Sequence, residues 1–377
     1  MIAERTIPGE TVDTSTLVAP QVPVPVAAPA KKSSRREKRE NRDRLPDVGE
    51  YVIGERGVHY EFLQKLGDGA MGLVFLSKHE DVTVAVKTEK YSTSMLPTEV
   101  KVMKVANADG CKHFCQIYSY GAVKPEFTYV VMSLLGKDLY RLRSEQPSRQ
   151  FSLNTVTKIA LQTLEACEQL HNLGFISRDV KPSNFAPGVR ENGGSKTIYM
   201  FDFGLAKRYR DRNNNVIPSR GEVGWRGTVR YGSLSAHKRM DLSRADDLES
   251  WFYMLVEFSA GLLPWRLITD RADTYTAKRR ARTSGKPHFL RGCPAQFEEI
   301  MRVIDRWDFY AVPDYRKLRV LIKQIRAENN LSDRMPWDWQ EEESEYSECT
   351  ETLSYGITSD AAIKEEGVIE TAEHHRN

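Results

Sequence analysis

The sequence predicts an α+β chain of two lobes, a small strand-rich one followed by a larger helical one, with a ligand cleft between them. Three observations carry this. Residues 51–132 alternate as short antiparallel strands do, with one apolar helical stretch interrupting them. From Leu153 the period changes: Leu153, Val156, Ile159, Ala160, Leu164, Cys167, Leu170 and His171 fall three or four apart, on one helical face. And the 377 residues are 40% hydrophobic and 28% charged, an ordinary globular composition, with no internal repeat.

The N-terminal arm, 1–50, reads as disordered, because Pro20, Pro23, Pro25 and Pro29 break any apolar helix and residues 31–45 carry eight bases against three acids. The tail, 337–377, is also read as disordered, with twelve acids against two bases. The 51–336 core between them is basic, which suits acidic or phosphorylated partners. No window approaches the ~20 apolar residues of a bilayer span; the best run, Phe252 to Val256, lies between Glu249 and Glu257. Five cysteines without a CxxC pair argue for free thiols, a reducing compartment and no zinc site.

Within the strand-rich lobe, Leu66-Gly67-Asp68-Gly69-Ala70-Met71-Gly72-Leu73-Val74 has strand-like flanks and no helix after it. That disfavours a dinucleotide fold, whose glycines open a helix, and favours a strand-turn-strand flap laid over phosphates, with Val74 against an adenine. Thirteen residues on, Ala85 and Lys87 share one side of a strand whose valines occupy the other. Ala85 can touch the adenine while Lys87 reaches the phosphates. Glu99 is the acid expected to position Lys87, on a helix begun near Pro97. In the second lobe, Gly174 ends the helix that starts at Leu153, and a further apolar helix runs from Arg244 to about Ser259.

The most specific block is Ser177-Arg178-Asp179-Val180-Lys181-Pro182-Ser183-Asn184, followed by Phe201-Asp202-Phe203-Gly204. Here the chain resembles a protein kinase, with RDxKxxN and DFG at the family spacing. The resemblance implies a bilobal kinase fold over 51–336, with an N-lobe of about 51–135 and a C-lobe of about 136–336. It implies ATP and Mg²⁺ as cofactors and protein Ser or Thr hydroxyls as acceptors. Asp179 would accept or orient the hydroxyl proton, Lys181 would neutralise the γ-phosphoryl group, and Asn184 and Asp202 would ligate Mg²⁺. Thr228, in Gly227-Thr228-Val229-Arg230-Tyr231, would bond the catalytic loop. Tyr129 to Gly136 looks like the hinge of the casein kinase 1 group, with Met132 as gatekeeper and the backbone of Ser133 and Leu135 against adenine. Ser233-Leu234-Ser235-Ala236-His237 stands where most kinases have APE, and the chain is most similar to the tau-tubulin kinase branch. Relatives of that group read a substrate phosphate with residues matching Arg178, Lys207 and Arg230, and arginine's planar fork suits phosphate. That points to acidic or phosphate-primed protein substrates, cytoskeletal ones by resemblance to the branch.

Two departures from the family bear on mechanism. Ser177 replaces a histidine that packs behind the DFG phenylalanine, removing a ring there. Glu99 follows Lys87 by only twelve residues, slightly fewer than usual, and with Pro97 just before it falls in the first helical turn. A scaffold that holds nucleotide without transferring phosphate is the rival reading; the complete set of phosphate and metal groups argues against it. A nucleic-acid binder working through 31–45 is the second rival, and the run lacks aromatics for base stacking. It reads better as a localisation signal or tether. The expected protein is a monomer with no membrane attachment, cytoplasmic, with a nuclear pool if the basic run acts as a signal. In the tail, Ser344, Ser347 and Thr350 stand three apart, a spacing that allows one phosphate to prime the next.

Overall fold

β-Branched residues on alternate positions make a strand with two apolar faces, and here each face has its own partner. A computed structural model describes residues 43–69, 72–191 and 194–340. Ala70 and Met71 of the glycine-rich segment, the arm before Asp43, and the tail from 341 with Ser344, Ser347 and Thr350 lie outside the described residues.

β1 (Tyr51–Ile53) and β2 (His59–Glu61) pair antiparallel. β3 (Gln64–Gly69), β4 (Gly72–His79), β5 (Val82–Lys90), β6 (Ile117–Val123) and β7 (Phe127–Ser133) form an antiparallel sheet in the order β3-β4-β5-β7-β6. Val84 and Val86 are fully buried on one face with Phe75, Tyr129 and Val131. Each such side chain contributes roughly 1.5–3 kcal/mol on burial. The opposite face carries Val74, Ala85 and Met132 and walls a cleft; the register sets Val74 opposite Lys87 and Ala85 opposite Met132. The helical interruption is α1 (Leu96–Ala108), with Pro97 in its first turn, where a missing N–H costs nothing. Gly72 is fixed by the sheet itself: a Cβ there would lie 1.8 Å from the Thr88 carbonyl oxygen of β5.

The second lobe follows with α2 (Leu139–Glu145) and α3 (Leu153–Asn172). Four short strands come next: β8 (Phe175–Ile176), β9 (Phe185–Pro187), β10 (Ile198–Met200) and β11 (Lys207–Arg208). Then come α4 (Leu234–His237), α5 (Arg244–Ala260), α6 (Arg271–Arg280), α7 (Lys286–Phe289), α8 (Gln296–Ile304) and α9 (Tyr315–Glu328). α5 is the hub. Trp251 to Val256 are all buried, which is why this stretch of the helix is apolar on every side. A Ser243–Asp246 capping box starts it, and Gly261 at φ +77° ends it.

Both lobe boundaries lie further out than composition placed them. Asp43 accepts hydrogen bonds from the N–H and hydroxyl of Ser92 (2.9 and 2.6 Å), and Arg44 pairs with Glu50 and Glu126 (2.6 Å each). The end of the basic run is thus part of the first lobe. At the other end, Trp337 is buried and stacks on Trp339, and Phe151 meets Trp339 edge-on. Asp338 accepts from the Ser152 N–H and hydroxyl (2.6 Å each) and from the Thr155 hydroxyl (2.7 Å), covering the start of α3. The acids around these tryptophans dominate the local composition, so the segment reads as tail although its aromatic rings dock.

Candidate active site

The loop after β8 is held from beneath by a carboxylate of the hub helix. Asp247 accepts from the N–H groups of Ser177 (2.7 Å) and Arg178 (2.8 Å), and its Oδ2 lies 2.9 Å from His171 Nε2. These bonds fix Arg178 in a left-handed backbone (φ +66°) that a non-glycine residue avoids without such support. Asp179 is thereby presented to the cleft. Its Oδ1 accepts from both the N–H (2.9 Å) and hydroxyl (2.8 Å) of Thr228, its Oδ2 lies 3.0 Å from Lys181 Nζ, and its carbonyl accepts from Asn184 Nδ2 (2.9 Å). Lys181 also donates to the Thr228 hydroxyl (3.3 Å). Gly227 allows this approach: at φ +89°, a Cβ there would lie 2.5 Å from the Arg178 carbonyl oxygen.

Across the cleft, Lys87 Nζ donates to Glu99 Oε2 at 2.7 Å and lies 3.5 Å from Asp202 Oδ1; Lys87 and Glu99 are both buried. The short spacing between them is therefore no obstacle, since α1 starts directly above the end of β5. A family model for the protein kinase domain matches residues 60–303.

The chain belongs to the protein kinase family.

It is 34% identical over 316 residues to the serine/threonine-protein kinase spe-6 of Caenorhabditis elegans, covering 81% of this chain and 82% of the relative. It is 35% identical over 280 residues to a probable serine/threonine-protein kinase of Dictyostelium discoideum, covering 74% of this chain and 56% of that relative, so the chain spans little more than half the length of the latter. By this likeness it is a serine/threonine kinase, whose domain takes ATP with a divalent metal and acts on proteins. Among the described residues no helix is long and apolar enough to cross a membrane.

The kinase cleft fits the nucleotide in three respects. Leu66, Val74, Ala85, Met132 and Leu135 give it apolar walls around about 860 Å³ of partly open space, with Gly67 and Ser133 also lining it. The Ser133 N–H is taken by the Gln116 carbonyl (3.0 Å), so a backbone contact from Ser133 to a base uses its carbonyl. Second, burial disfavours charge on Lys87, but Glu99, Asp202 and Glu89 outweigh it and hold the ammonium protonated. Third, burial raises Asp202, yet Lys87 and Lys181 bring it below the ordinary aspartate value, so it faces the cleft as a carboxylate. With Asn184 Nδ2 spent on the Asp179 carbonyl, its amide oxygen is left for a cation. Two oxygen ligands suit a cation that keeps waters and phosphate oxygens. Asp68, Gly69 and Leu73, read as flap residues, lie on β3 and β4, where the pairs Asp68–Leu73 and Gly69–Gly72 hold the two strands together.

Phe203 is fully buried and stacks on Phe114 with ring centroids 5.3 Å apart, so it has an aromatic neighbour although Ser177 supplies none. The Ser177 hydroxyl instead accepts from the Asp179 N–H (3.3 Å).

Of the three residues expected to read a substrate phosphate, two gather around Asp241 and one reaches other groups. Lys207 Nζ lies 2.9 and 2.8 Å from the two oxygens of Asp241, which also takes Arg220 (2.8 Å). Arg178 lines a small pocket with Arg226 and Asp241 and donates to the Leu205 carbonyl (2.8 Å). Arg230 turns to other groups, Glu257 of α5 (3.6 Å) and the Arg266 carbonyl (3.4 Å). The basic cluster is thus Arg178, Lys207, Arg220 and Arg226 around Asp241. The sequence cannot reveal this, because Glu257, which draws Arg230 away, is 27 residues further on. Two further residues, one lining the cleft and one buried behind Lys87, escaped the sequence reading. Asp138 caps α2 and lines the cleft, with burial raising its carboxyl to about 6. Glu89 shares the pleat face of Ala85 and Lys87, a signal the alternation carried.

Proposed function

We propose that this chain is a kinase of the casein kinase 1 group, tau-tubulin branch, transferring the γ-phosphate of ATP to Ser or Thr of acidic or phosphate-primed proteins, with Mg²⁺ as its metal. The observation that carries the transfer reading is Asp179, whose Oδ1 takes both donors of Thr228 while Lys181 stands 3.0 Å from its Oδ2. Held so, Asp179 accepts the proton of the acceptor hydroxyl and aims its oxygen at the phosphorus. Lys87, clamped by Glu99, fixes the nucleotide's inner phosphates, and Lys181 neutralises the transferred group. Asn184 and Asp202 would hold Mg²⁺, which spreads the charge that develops in transfer. Arg178, Lys207, Arg220 and Arg226 supply the basic surface beside Asp179 for an acidic or phosphorylated substrate segment.

The SxxxH segment Ser233 to His237 and the hinge Met132 to Gly136 support the branch, and cytoskeletal substrates follow from that resemblance alone. We further propose a cytoplasmic monomer with a nuclear pool directed by 31–45, and no nucleic-acid substrate. The test is γ-phosphate transfer by the purified chain to matched peptides, unprimed and carrying phosphoserine three residues before the acceptor, with Asp179→Asn as control. Transfer that is lost in the control and favours the primed peptide is expected. Equal rates on both peptides would remove the priming half of the proposal.

A further inference from the structure

α1 carries Glu99, yet it has no cap of its own: Met95 at its N-cap position offers no side-chain hydrogen bond to the first turn. Ser94 Oγ accepts from the Leu96 N–H (3.1 Å), and the further acceptor comes from the strand that bears the catalytic lysine. Glu89, two residues beyond Lys87 on the same pleat face of β5, is buried at 2% exposure. Its Oε2 accepts from the Met95 N–H (2.6 Å), the Leu96 N–H (3.2 Å) and the Ser94 hydroxyl (3.0 Å). Its Oε1 lies 3.5 Å from Lys87 Nζ. One carboxylate therefore binds the start of the helix with one oxygen and approaches the lysine with the other. A carboxylate at a helix N-terminus satisfies orphan N–H groups and complements the helix dipole.

We propose that Glu89 is a positioning residue of the phosphotransfer reaction, clasping the N-terminus of α1 to β5 so that Glu99 meets Lys87. The inference rests on the kinase reading of the cleft. Without Glu89, the Met95 N–H at the N-cap loses its acceptor and the Leu96 N–H keeps only Ser94 Oγ, so the helix is free to swing from β5, carrying Glu99 off Lys87. A helix that moves by ~1 Å can cost on the order of a hundredfold in rate.

The test uses the full chain with two near-isosteric variants and Asp179→Asn alongside. Glu89→Met removes the acceptor and keeps the length; Glu89→Gln keeps an acceptor and removes the charge. For Glu89→Met, kcat is expected to fall at least about tenfold, with faster hydrogen exchange at Met95, Leu96 and the first turn of α1 and an unchanged C-lobe. For Glu89→Gln, exchange there stays slow and kcat stays within about threefold, since the amide oxygen can take the same donors. A folded Glu89→Met variant with wild-type kcat and exchange overturns the inference. If Glu89→Met does not fold, Glu89→Gln decides alone: fast exchange at Met95 and Leu96, or a larger loss of kcat, overturns it. Wild-type rates in Asp179→Asn would instead overturn the reading on which it rests, a result that leaves the exchange data for Glu89 separately legible.

Discussion

Thr228 places both of its donors on one oxygen of Asp179, the N–H at 2.9 Å and the hydroxyl at 2.8 Å. The other oxygen lies 3.0 Å from Lys181 Nζ and, under the proposed function, would take an incoming hydroxyl. Asp179→Asn replaces one oxygen by an NH₂ group, so it loses the base and sets a donor either against Thr228 or against the incoming hydroxyl. A fall in kcat of about 10²–10⁴-fold is expected with an unchanged melting temperature. Steady-state kinetics checks it, and wild-type turnover would mean that another group takes the proton.

The basic cluster gives a second prediction. Lys207→Ala is expected to raise KM for a phosphate-primed peptide by about tenfold, the worth of roughly one charged hydrogen bond, and to leave the unprimed peptide nearly unaffected. Arg230→Ala is expected to leave the ratio of the two KM values unchanged, because Arg230 is engaged by Glu257 and the Arg266 carbonyl. A collapse of that ratio in Arg230→Ala would restore Arg230 to the cluster.

The C-terminal boundary gives a third. A chain ending at Gln340 is expected to melt with the full-length protein. One ending at Pro336 loses the Asp338 bonds to Ser152 and Thr155 and the burial of Trp337, together at least ~3 kcal/mol. Thermal denaturation of the two truncations separates them, and equal melting temperatures would contradict the docking of Trp337.

The fourth concerns pH. His237 Nε2 lies 3.1 Å from Lys278 Nζ, which also donates to the carbonyls of Val229 (2.9 Å), next to Thr228 in sequence, and Gly232 (2.6 Å). Burial, then the nearby Lys278 charge, lower the imidazole from 6.5 to about 4. The unfolded chain therefore takes this proton first. The contribution of His237 to stability is present above pH 6.5 and is lost as pH falls towards about 4. Melting temperatures of the wild type and His237→Gln across that window should show the steeper acid loss in the wild type; parallel curves would refute it.

Much of the site can be read in the sequence because its chemistry is local. The run from Arg178 to Asn184 places five polar side chains in one turn and loop, and the alternation around Ala85 and Lys87 already says which face walls the cleft. The Lys87–Glu99 pair needed the start of α1, which Pro97 marks. What was not legible depends on long-range packing. Arg230 follows a glutamate of α5. Gly72 is demanded by the Thr88 carbonyl on the neighbouring strand. Trp337 and Trp339 dock on a helix that begins some 180 residues earlier, and nothing local distinguishes them from the acid-rich stretch that follows.

That last contact has a consequence for how the protein is made. α3 is synthesised long before its acceptor at Asp338, so the nascent helix emerges with the Ser152 and Thr155 donors unmet by that carboxylate. Domains tend to fold from the N-terminus as they leave the ribosome, but this lobe receives the clamp on its first long helix only from residues near its end. Trp337, Asp338 and Trp339 can therefore close over the start of α3 only after the rest of both lobes has been synthesised.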